Sequence, residues 1–329
     1  MSPNLSPMKP HIRKLGTIVC DLVETTPIVF RDRLYRFEYV RDQYYEPNDT
    51  GDSYFRFVDH ETGEFSPPFA TGYHLGNVFV EDDTLYVTGT SIWDGDRVDL
   101  FMSRDMESWD SWNVLDLPGY GLFNTSLCRG ENEYVLMFEV GKPPDVAGVP
   151  YTARFATSPD LRQWELTPPQ CTYSKDRYTA PHCLRYLDGW YYNFYLEMIG
   201  QGDGYEQYVV RSHDLVQWEP SPYNPVLRAD DDDRRIANPN LTEAQRQRIA
   251  TAIDINNSDI DLCEYRGRVI INYSWGSQRG VEHLAEAVYD GTLGQFLEGW
   301  YPPVPPVPPT GTDIHGGGSG ISTGGTSGN

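Results

Sequence analysis

The sequence is poor in the residues that mark several common classes of protein. It has seven histidines, which show no metal-ligand spacing, and five cysteines among 329 residues. The cysteines are odd in number, widely spaced and free of any CxxC pair, so neither a disulfide framework nor a zinc site is expected. No P-loop, dinucleotide-binding glycine motif, HExxH or GxSxG occurs, which excludes the enzyme classes that depend on them. The cysteines are Cys20, Cys128, Cys171, Cys183 and Cys263.

Positive charge is also scarce. Lysine and arginine total 26 against 48 acidic residues, a net charge of −22. Such a surface repels nucleic acids and anionic lipids, so neither nucleic acid nor membrane is expected as a partner. No apolar run approaches membrane-spanning length, and residues 1–14 are polar and rich in proline, without an apolar signal core. The sequence therefore predicts a cytoplasmic protein, or a periplasmic or secreted one if a signal peptide was removed.

A nine-residue unit with serine, aspartate and tryptophan at fixed places occurs three times, at residues 102–110, 157–165 and 211–219. Successive copies lie 54 or 55 residues apart. Serine and aspartate bond backbone groups in tight turns, and tryptophan packs well between neighbouring sheets. A fixed period of about 40–50 residues with several strands in each repeat is typical of propeller blades.

Five pairs of strand-like runs, each joined by a short polar or glycine turn, have the spacing of hairpins. A third strand-like run follows each pair, including 55–58 in the first repeat and 283–287 in the last. These patterns predict an all-β fold, a five-bladed β-propeller in one domain at residues 18–301. The pairs are 26–30 with 34–38, 75–80 with 84–88, 124–128 with 134–139, 181–186 with 190–197, and 259–263 with 269–273.

Two stretches depart from the repeat. Residues 241–252 have a helical composition with Thr242 or Asn240 as a cap, and they follow the charged run 230–235. We expect a short helical insertion between blades four and five, either as a solvated loop or as a wall of a pocket. The tail at 302–329, rich in proline and then in glycine and serine, is expected to be flexible and outside the fold.

In a propeller, the first strands begin and the second strands end around one central funnel. Glu38, Glu139 and Glu197 end three of the second strands. Because a buried unpaired carboxylate is costly, a shared wet pocket explains them, with hydrogen bonding to nearby loops as the alternative. The starts of the first strands add further polar and aromatic residues, namely Glu24, His74, Asn77, Asn124, Tyr178, His182, Asn257, Asp259 and Asp261.

Asp259 and Asp261 are expected on the same side of their strand, where the charge of one carboxylate raises the pKa of the other. A turn rich in Asx residues is the alternative. Trp93, Tyr178 and Trp275 supply flat apolar faces on which sugar rings stack, although core packing explains any one of them. Paired carboxyl groups beside such faces are what glycosyl transfer requires. No cofactor is expected, and a Ca²⁺ ion in the channel is left open.

The repeated Ser-x-Asp turn, the stretch at 26–38 and the stretch at 180–192 resemble five-bladed propeller glycosidases, in particular glycoside hydrolase families 43, 32 and 117. The resemblance covers about residues 18–301 and implies a glycosidase. In family 43 a base aspartate directly precedes the proline of blade one, where this chain has Thr26 with Glu24 nearby. An acid glutamate precedes the proline of blade four, where this chain has Thr179. The aspartate of blade three has Asn124 as its nearest counterpart.

The resemblance and the funnel carboxylates together predict a glycoside hydrolase, exo-acting on an oligosaccharide or glycoside. Glu24 is expected as base or nucleophile, Glu197 as general acid with Glu139 as the alternative, and Asp259 as an orienting carboxylate. A carbohydrate-binding propeller without catalysis is one alternative. A phosphorylase or transferase is another, with phosphate-binding candidates Arg177, Arg185 and Arg279. The residues expected to bind substrate are Glu38, His74, Asn77, Asn124, Tyr178, His182, Asn257, Asp261 and Trp275.

Overall fold

A computed structural model describes residues 9–41 and 53–302. Regular structure in these residues is mostly β-sheet, with twenty strands and three short α-helices. The all-β prediction is therefore confirmed. All of the predicted tail beyond residue 302 lies outside the described residues.

After a first strand, β1 (Arg13–Cys20), the described strands pair as five consecutive antiparallel meanders. The first is β2 (Thr25–Phe30), β3 (Arg33–Arg41) and β4 (Ser53–Asp59). The second is β5 (His74–Glu81), β6 (Thr84–Thr90), β7 (Arg97–Ser103) and β8 (Asp110–Asp116). The third is β9 (Gly121–Arg129), β10 (Tyr134–Lys142) and β11 (Thr152–Ser158), with short β12 (Glu165–Leu166) and β13 (Thr172–Tyr173) on β11.

The fourth meander is β14 (His182–Leu187), β15 (Trp190–Ile199), β16 (Gly204–Ser212) and β17 (Glu219–Pro220). The fifth is β18 (Asn256–Tyr265), β19 (Arg268–Gly276) and β20 (Glu282–Asp290). The first strands of the meanders contact one another in the order β2, β5, β9, β14, β18 and back to β2. These five strands therefore surround a common axis.

Strand β1 completes the last meander rather than the first. It pairs antiparallel with β20, from Arg13 opposite Val288 to Cys20 opposite His283. Pairing of this kind satisfies the edge of β20, which would otherwise present open backbone groups. The strand begins at Arg13, before the boundary predicted at residue 18.

The three Ser-x-Asp turns have the hydrogen bonds that the sequence predicts. In the first, Asp105 Oδ1 accepts from the backbone N–H groups of Glu107 (2.9 Å) and Ser108 (2.8 Å). Asp160 and Asp214 accept the equivalent pairs of bonds in the other two turns. The tryptophans pack on the preceding sheet, as when the ring of Trp109 stacks on Phe69 with 3.8 Å between centroids. The repeat therefore specifies both a turn and a contact between sheets.

The helices are α1 (Pro144–Ala147), α2 (Glu243–Thr251) and α3 (Leu293–Gly299). Helix α2 lies in the stretch predicted as helical, between β17 and β18. Its cap is Thr242, whose hydroxyl accepts from the backbone N–H of Gln245 while the Gln245 side chain accepts from Thr242 N–H. In the part of the chain that the structure describes, no helix is long and apolar enough to cross a membrane.

A buried carboxylate holds the insertion against the sheet. Asp233, in a 3-10 turn at Asp231–Arg234, accepts from Lys14 Nζ (2.8 Å), Tyr273 Oη (2.6 Å) and Asn257 Nδ2 (3.1 Å). Arg234 Nη1 lies 3.9 Å from Asp254 Oδ2, and neither carboxyl oxygen of Asp254 has a hydrogen-bond donor among the described residues. Burial and the neighbouring Asp233 raise the pKa of Asp254 to about 8. Asp254 therefore keeps its proton in the folded protein at neutral pH.

Because Asp254 keeps this proton only in the folded state, it makes the stability of the protein depend on pH. Between pH 4 and 8 the unfolded chain releases the proton and the folded one keeps it, so the free energy of unfolding falls as the pH rises. Asp254→Asn should raise that free energy by about 2 kcal/mol at pH 7 and by less at pH 5. Urea unfolding at the two pH values measures the difference. Asp231→Asn, at an exposed carboxylate of the same insertion, is the control. A loss of stability at both pH values would contradict the assignment.

Candidate functional site

A cavity of about 210 Å³ opens at the end of the axis where the five first strands begin. Its lining comes from the start of every first strand or the residues just before it, and from the ends of several second strands. Polar and aromatic side chains predominate. They include four carboxyl groups, Glu24, Glu139, Asp259 and Glu282, the guanidinium of Arg41, the amides of Asn124 and Gln278, and the rings of Trp93, Phe123, Tyr151 and Tyr178.

Irregular pairing at the start of three first strands turns lining residues towards the cavity. The register shifts between His74 and Asn77 in β5 and between Ser258 and Asp261 in β18. In β9 it shifts where the strand pairs with Phe138 and Val140 of β10. A β-bulge re-aims a side chain out of the regular alternation. Asp259 lies inside the last of these shifts, so Asp259 and Asp261 do not follow the simple alternation that the sequence predicts.

Asp259 combines strong burial with two hydroxyl donors. Its Oδ2 accepts from Ser258 Oγ (2.6 Å) and Ser274 Oγ (2.9 Å). Both hydroxyl bonds go to the same carboxyl oxygen, Oδ2. Burial first and the charge of Glu24 second raise the pKa of Asp259 to about 8, which outweighs the two hydroxyl bonds. Asp259 is therefore a carboxylic acid at neutral pH.

Glu24 lies in the same cavity beside a cation. Burial and Glu139 raise the pKa of Glu24, whereas the charge of Arg41 opposes this shift. The Arg41 guanidinium lies over the rings of Trp93 (5.1 Å to the centroid) and Tyr39 (5.7 Å). Because Arg41 favours the ionised form of Glu24, whereas burial and the charge of Glu24 raise the pKa of Asp259, Asp259 is the member of the pair that holds a proton.

Glu139 is held rigidly by its neighbours. Its Oε1 accepts from the backbone N–H of His182 (2.9 Å) and contacts His182 Nδ1 (2.9 Å), while Oε2 accepts from Asn124 Nδ2 (3.0 Å). Thr179 Oγ1 lies 3.1 Å from His182 Nε2, so Nδ1 is the protonated nitrogen when this hydroxyl donates. Glu139 and Asn124 line the cavity together, and His182 supports them from behind.

Glu282 is a cavity carboxyl group that the sequence reasoning missed. It begins β20 and accepts from the backbone N–H of Gln278 (2.5 Å) and from Asn256 Nδ2 (3.1 Å). Burial, with Glu24 as a further contribution, raises the pKa of Glu282 to about 7. The strand order could have identified Glu282, because the third strand of a meander starts at the same end of the axis at which the second strand ends. Glu282 was missed because only residues of first and second strands were expected around the funnel.

Three of the predicted substrate-binding residues lie deeper along the axis. Asn77, His182 and Asp261 surround a smaller space of about 40 Å³. Asp261 accepts from Thr26 Oγ1 (2.8 Å) and Asn77 Nδ2 (2.9 Å), and it pairs with Arg185. Both oxygens of Asp261 are thus engaged by protein groups. The register shift separates Asp261 from Asp259, so the two do not form the expected carboxyl pair, and the substrate-binding role of Asp261 stays a prediction.

Two of the three glutamates that end second strands do not reach the cavity. Glu38 is buried between Arg36 (2.6 Å) and Arg56 (2.7 Å), which are its neighbours on β3 and β4. Glu197 pairs with Arg177 (3.1 Å) and is absent from the cavity lining. Glu197 therefore lies with Arg177 and apart from the cavity carboxyl groups, and its role as general acid stays a prediction.

Three further residues that were predicted to bind substrate lie outside the cavity lining. His74 is fully buried, and burial and then Arg41 lower its pKa to about 4. Its neutral ring packs at 6.0 Å from that of Trp93, so it supports the cavity wall rather than binding a sugar. The other two residues are Asn257 and Trp275. Hydrogen bonds join His74 to Tyr39 (2.7 Å), Asn257 to Asp233 (3.1 Å) and Trp275 to Thr17 (2.8 Å). Of the predicted site residues, the cavity brings together Glu24, Asn124, Glu139, Tyr178 and Asp259.

Comparison with known proteins places the fold. No model of a known protein family and no curated protein sequence matches the chain. Among solved structures, a glycoside hydrolase is similar at a TM-score of 0.60 and 12% identity, over 85% of this chain and 92% of that one. A glycosyl hydrolase from Bacteroides ovatus gives 0.50 and 13%, over 86% of this chain and 91% of that one.

A xylan β-1,4-xylosidase from Bacillus halodurans is also similar, at a TM-score of 0.52 and 14% identity. The match covers 85% of this chain but 53% of the xylosidase, so the chain corresponds to about half of that protein. At such low identity these matches establish a shared architecture. The chain therefore has the fold of the glycoside hydrolases that it resembles.

Proposed function

We propose that the protein is a glycoside hydrolase whose five meanders are the blades of a five-bladed propeller, with α2 in an insertion between blades four and five. One observation carries the proposal. Glu24 and Asp259 interact electrostatically in one cavity, where burial raises the pKa of both carboxyl groups and the charge of Arg41 opposes the shift of Glu24. Two carboxyl groups whose environments separate their pKa values are the requirement for acid–base hydrolysis of a glycosidic bond.

The roles follow from the groups around each carboxyl. Asp259 is the general acid, because burial keeps it protonated near neutral pH and both of its hydroxyl donors bind the same oxygen, Oδ2. Glu24, beside Arg41, is the carboxylate that attacks the anomeric carbon or takes a proton from water. As the glycosidic bond breaks, the leaving oxygen receives the Asp259 proton and the sugar carbon receives the oxygen of water.

The remaining lining binds the sugar. Glu139 and Asn124 present fixed acceptor and donor groups for hydroxyls, and the rings of Tyr178 and Trp93 offer apolar faces. A cavity closed along the axis by the Asp261–Arg185 pair favours chain ends, so we infer exo-action on an oligosaccharide or glycoside. Of the phosphate-binding candidates for the phosphorylase alternative, Arg177 and Arg185 are engaged by Glu197 and Asp261. Arg279 is exposed and directly follows the cavity residue Gln278, so a phosphorylase or transferase is the second candidate function. Action in the cytoplasm stays a prediction.

A substrate screen tests the proposal. The purified protein is incubated with aryl arabinofuranosides, galactosides, xylosides and fucosides and with plant and algal oligosaccharides, beside Asp259→Asn. Cleavage that the variant loses supports the hydrolase. If no compound is cleaved and one sugar still raises the melting temperature, the protein is a carbohydrate-binding propeller instead.

The pH profile tests the assignment of Asp259. Activity should require Glu24 ionised and Asp259 protonated, giving a bell whose alkaline limb lies near pH 8. Glu282→Gln removes a negative charge that raises the pKa of Asp259, so the alkaline limb should move to lower pH by a fraction of a unit. Glu197→Gln removes a charge outside the cavity and should leave the limb in place. A shift to higher pH in Glu282→Gln would contradict the assignment.

A further inference from the structure

Six exposed apolar side chains lie at the end of the meanders where the cavity opens. Of nine large hydrophobic residues that are exposed in the described part of the chain, six lie at this end of the meanders. Phe65, Leu166 and Val216 lie elsewhere. The six are Ile92 (58% exposed), Val149 (39%), Met198 (40%), Ile199 (36%), Ile253 (67%) and Val281 (41%).

The position of these residues follows from the topology. The connections β6–β7, β10–β11, β15–β16 and β19–β20 all turn at the end of the axis where the cavity opens. Ile92 directly precedes Trp93, and Val281 directly precedes Glu282, both in the cavity lining. Met198 and Ile199 end β15, and Tyr205 at the start of β16 contacts the cavity residue Tyr178 with 6.5 Å between ring centroids. We call the six side chains the aliphatic rim.

The cavity and the rim differ in chemistry. The cavity holds four carboxyl groups, hydroxyls and amides, which suit the hydroxyls of one sugar. Aliphatic side chains at its edge offer no hydrogen bonds to a second sugar. Exposed apolar groups beside a polar site mark a binding surface when they lie together. Ile92 and Val281 each adjoin a residue of the cavity lining. What projects from the cavity when a glycoside is bound is the group on the far side of the scissile bond.

We propose that the rim binds an apolar leaving group, so that the natural substrate class is glycosides of hydrophobic alcohols rather than long polysaccharides. This inference rests on the proposed hydrolase function. Hydrolysis then breaks the bond between the sugar carbon and the leaving oxygen, and water supplies a hydroxyl to the sugar and a proton to the released alcohol. The rim sets the affinity for the alcohol part and has no part in proton transfer.

Matched pairs of substrates test the rim. Methyl and n-octyl glycosides of arabinofuranose, xylose, galactose and fucose, in both anomers, share a sugar and differ in the apolar chain. Burial of two or more methylenes corresponds to at least a tenfold gain in affinity. For whichever sugar is cleaved, the n-octyl glycoside should have a KM at least about tenfold lower than the methyl glycoside, with a similar kcat. Equal KM values for the two would overturn the inference.

Variants locate the effect. Ile92→Ser with Val281→Ser should remove most of the octyl preference and leave the methyl glycoside unchanged. Val216→Ser is the matched control, because Val216 is exposed (37%) in the turn after β16, at the opposite end of the meander. A control that loses the preference equally would show a general surface effect and overturn the assignment.

Two other outcomes are distinguishable. If none of the glycosides and none of the screened oligosaccharides is hydrolysed, the hydrolase proposal fails, and with it the basis of this inference. If rim variants instead change the molecular mass in solution and change the KM of both glycosides equally, the rim is an interface between copies of the chain. Light scattering at several protein concentrations detects that result, which would also overturn the leaving-group assignment.

Discussion

Replacing Asp259 by asparagine should lower kcat by about 10²- to 10⁴-fold, the range that a general acid contributes. The loss should be largest for alkyl glycosides and smaller for nitrophenyl glycosides, whose leaving oxygen needs little protonation. Glu24→Gln should lower kcat for both kinds of substrate, because the ionised carboxylate acts at carbon or on water whatever the leaving group. Comparing kcat across a series of leaving groups separates the two roles.

The matched control is Glu197→Gln, the same change at the carboxylate that the sequence analysis expected as the acid. The Glu197 side chain pairs with Arg177 outside the cavity, so activity should change by less than about twofold. The pair is partly exposed and contributes little to stability, so the variant should also fold normally. If Glu197→Gln is inactive and Asp259→Asn is not, the expectation from the sequence is right and the placement of the acid in β18 is wrong.

Replacing Asp261 by asparagine should lower the free energy of unfolding by about 3 kcal/mol, because it leaves the Arg185 guanidinium without its carboxylate. The melting temperature should be lower than that of the wild type by several degrees, up to about 10 °C. The asparagine oxygen still accepts from Thr26 and Asn77, so the change removes the charge and keeps much of the hydrogen-bond network. Chemical unfolding and calorimetry measure the loss.

The double variant Asp261→Asn with Arg185→Met should recover most of this stability, since neither charge then remains at the axis. Asp290→Asn is the control. Its exposed pair with Arg268 (2.9 Å) should contribute less than about 1 kcal/mol. A variant Asp261→Asn that keeps its stability and raises KM would instead support the original expectation that Asp261 binds substrate.

Local chemistry explains which predictions from sequence succeed. The Ser-x-Asp turns bond their own backbone within a few residues, so the three copies specify their structure wherever they occur. The cap at Thr242 is equally local, and α2 begins directly after it. Glu24, Glu139 and Asp259 line the cavity as the strand order predicts, because the start of a first strand and the end of a second one meet at the same end of a meander.

The tertiary structure decides where carboxylates at equivalent positions of the repeat lie in the fold. Glu38, Glu139 and Glu197 each end a second strand, yet only Glu139 lies in the cavity lining described here. The difference lies in their neighbours, since arginines pair with Glu38 and Glu197, whereas a histidine and an asparagine hold Glu139. Such neighbours come from other strands and loops, and their distances are absent from a repeat pattern.

The same limit applies to Asp259 and Asp261, two residues apart on one strand. By itself the sequence determined an all-β chain with repeated turns and polar groups at the strand starts, because period and turn chemistry are local properties. Only the tertiary structure decided that a bulge separates these aspartates, that Glu24 and Glu282 rather than Asp261 raise the pKa of Asp259, and that Asp261 closes the axis with Arg185. Protonation depends on which charges lie within a few ångströms, and folding sets those distances.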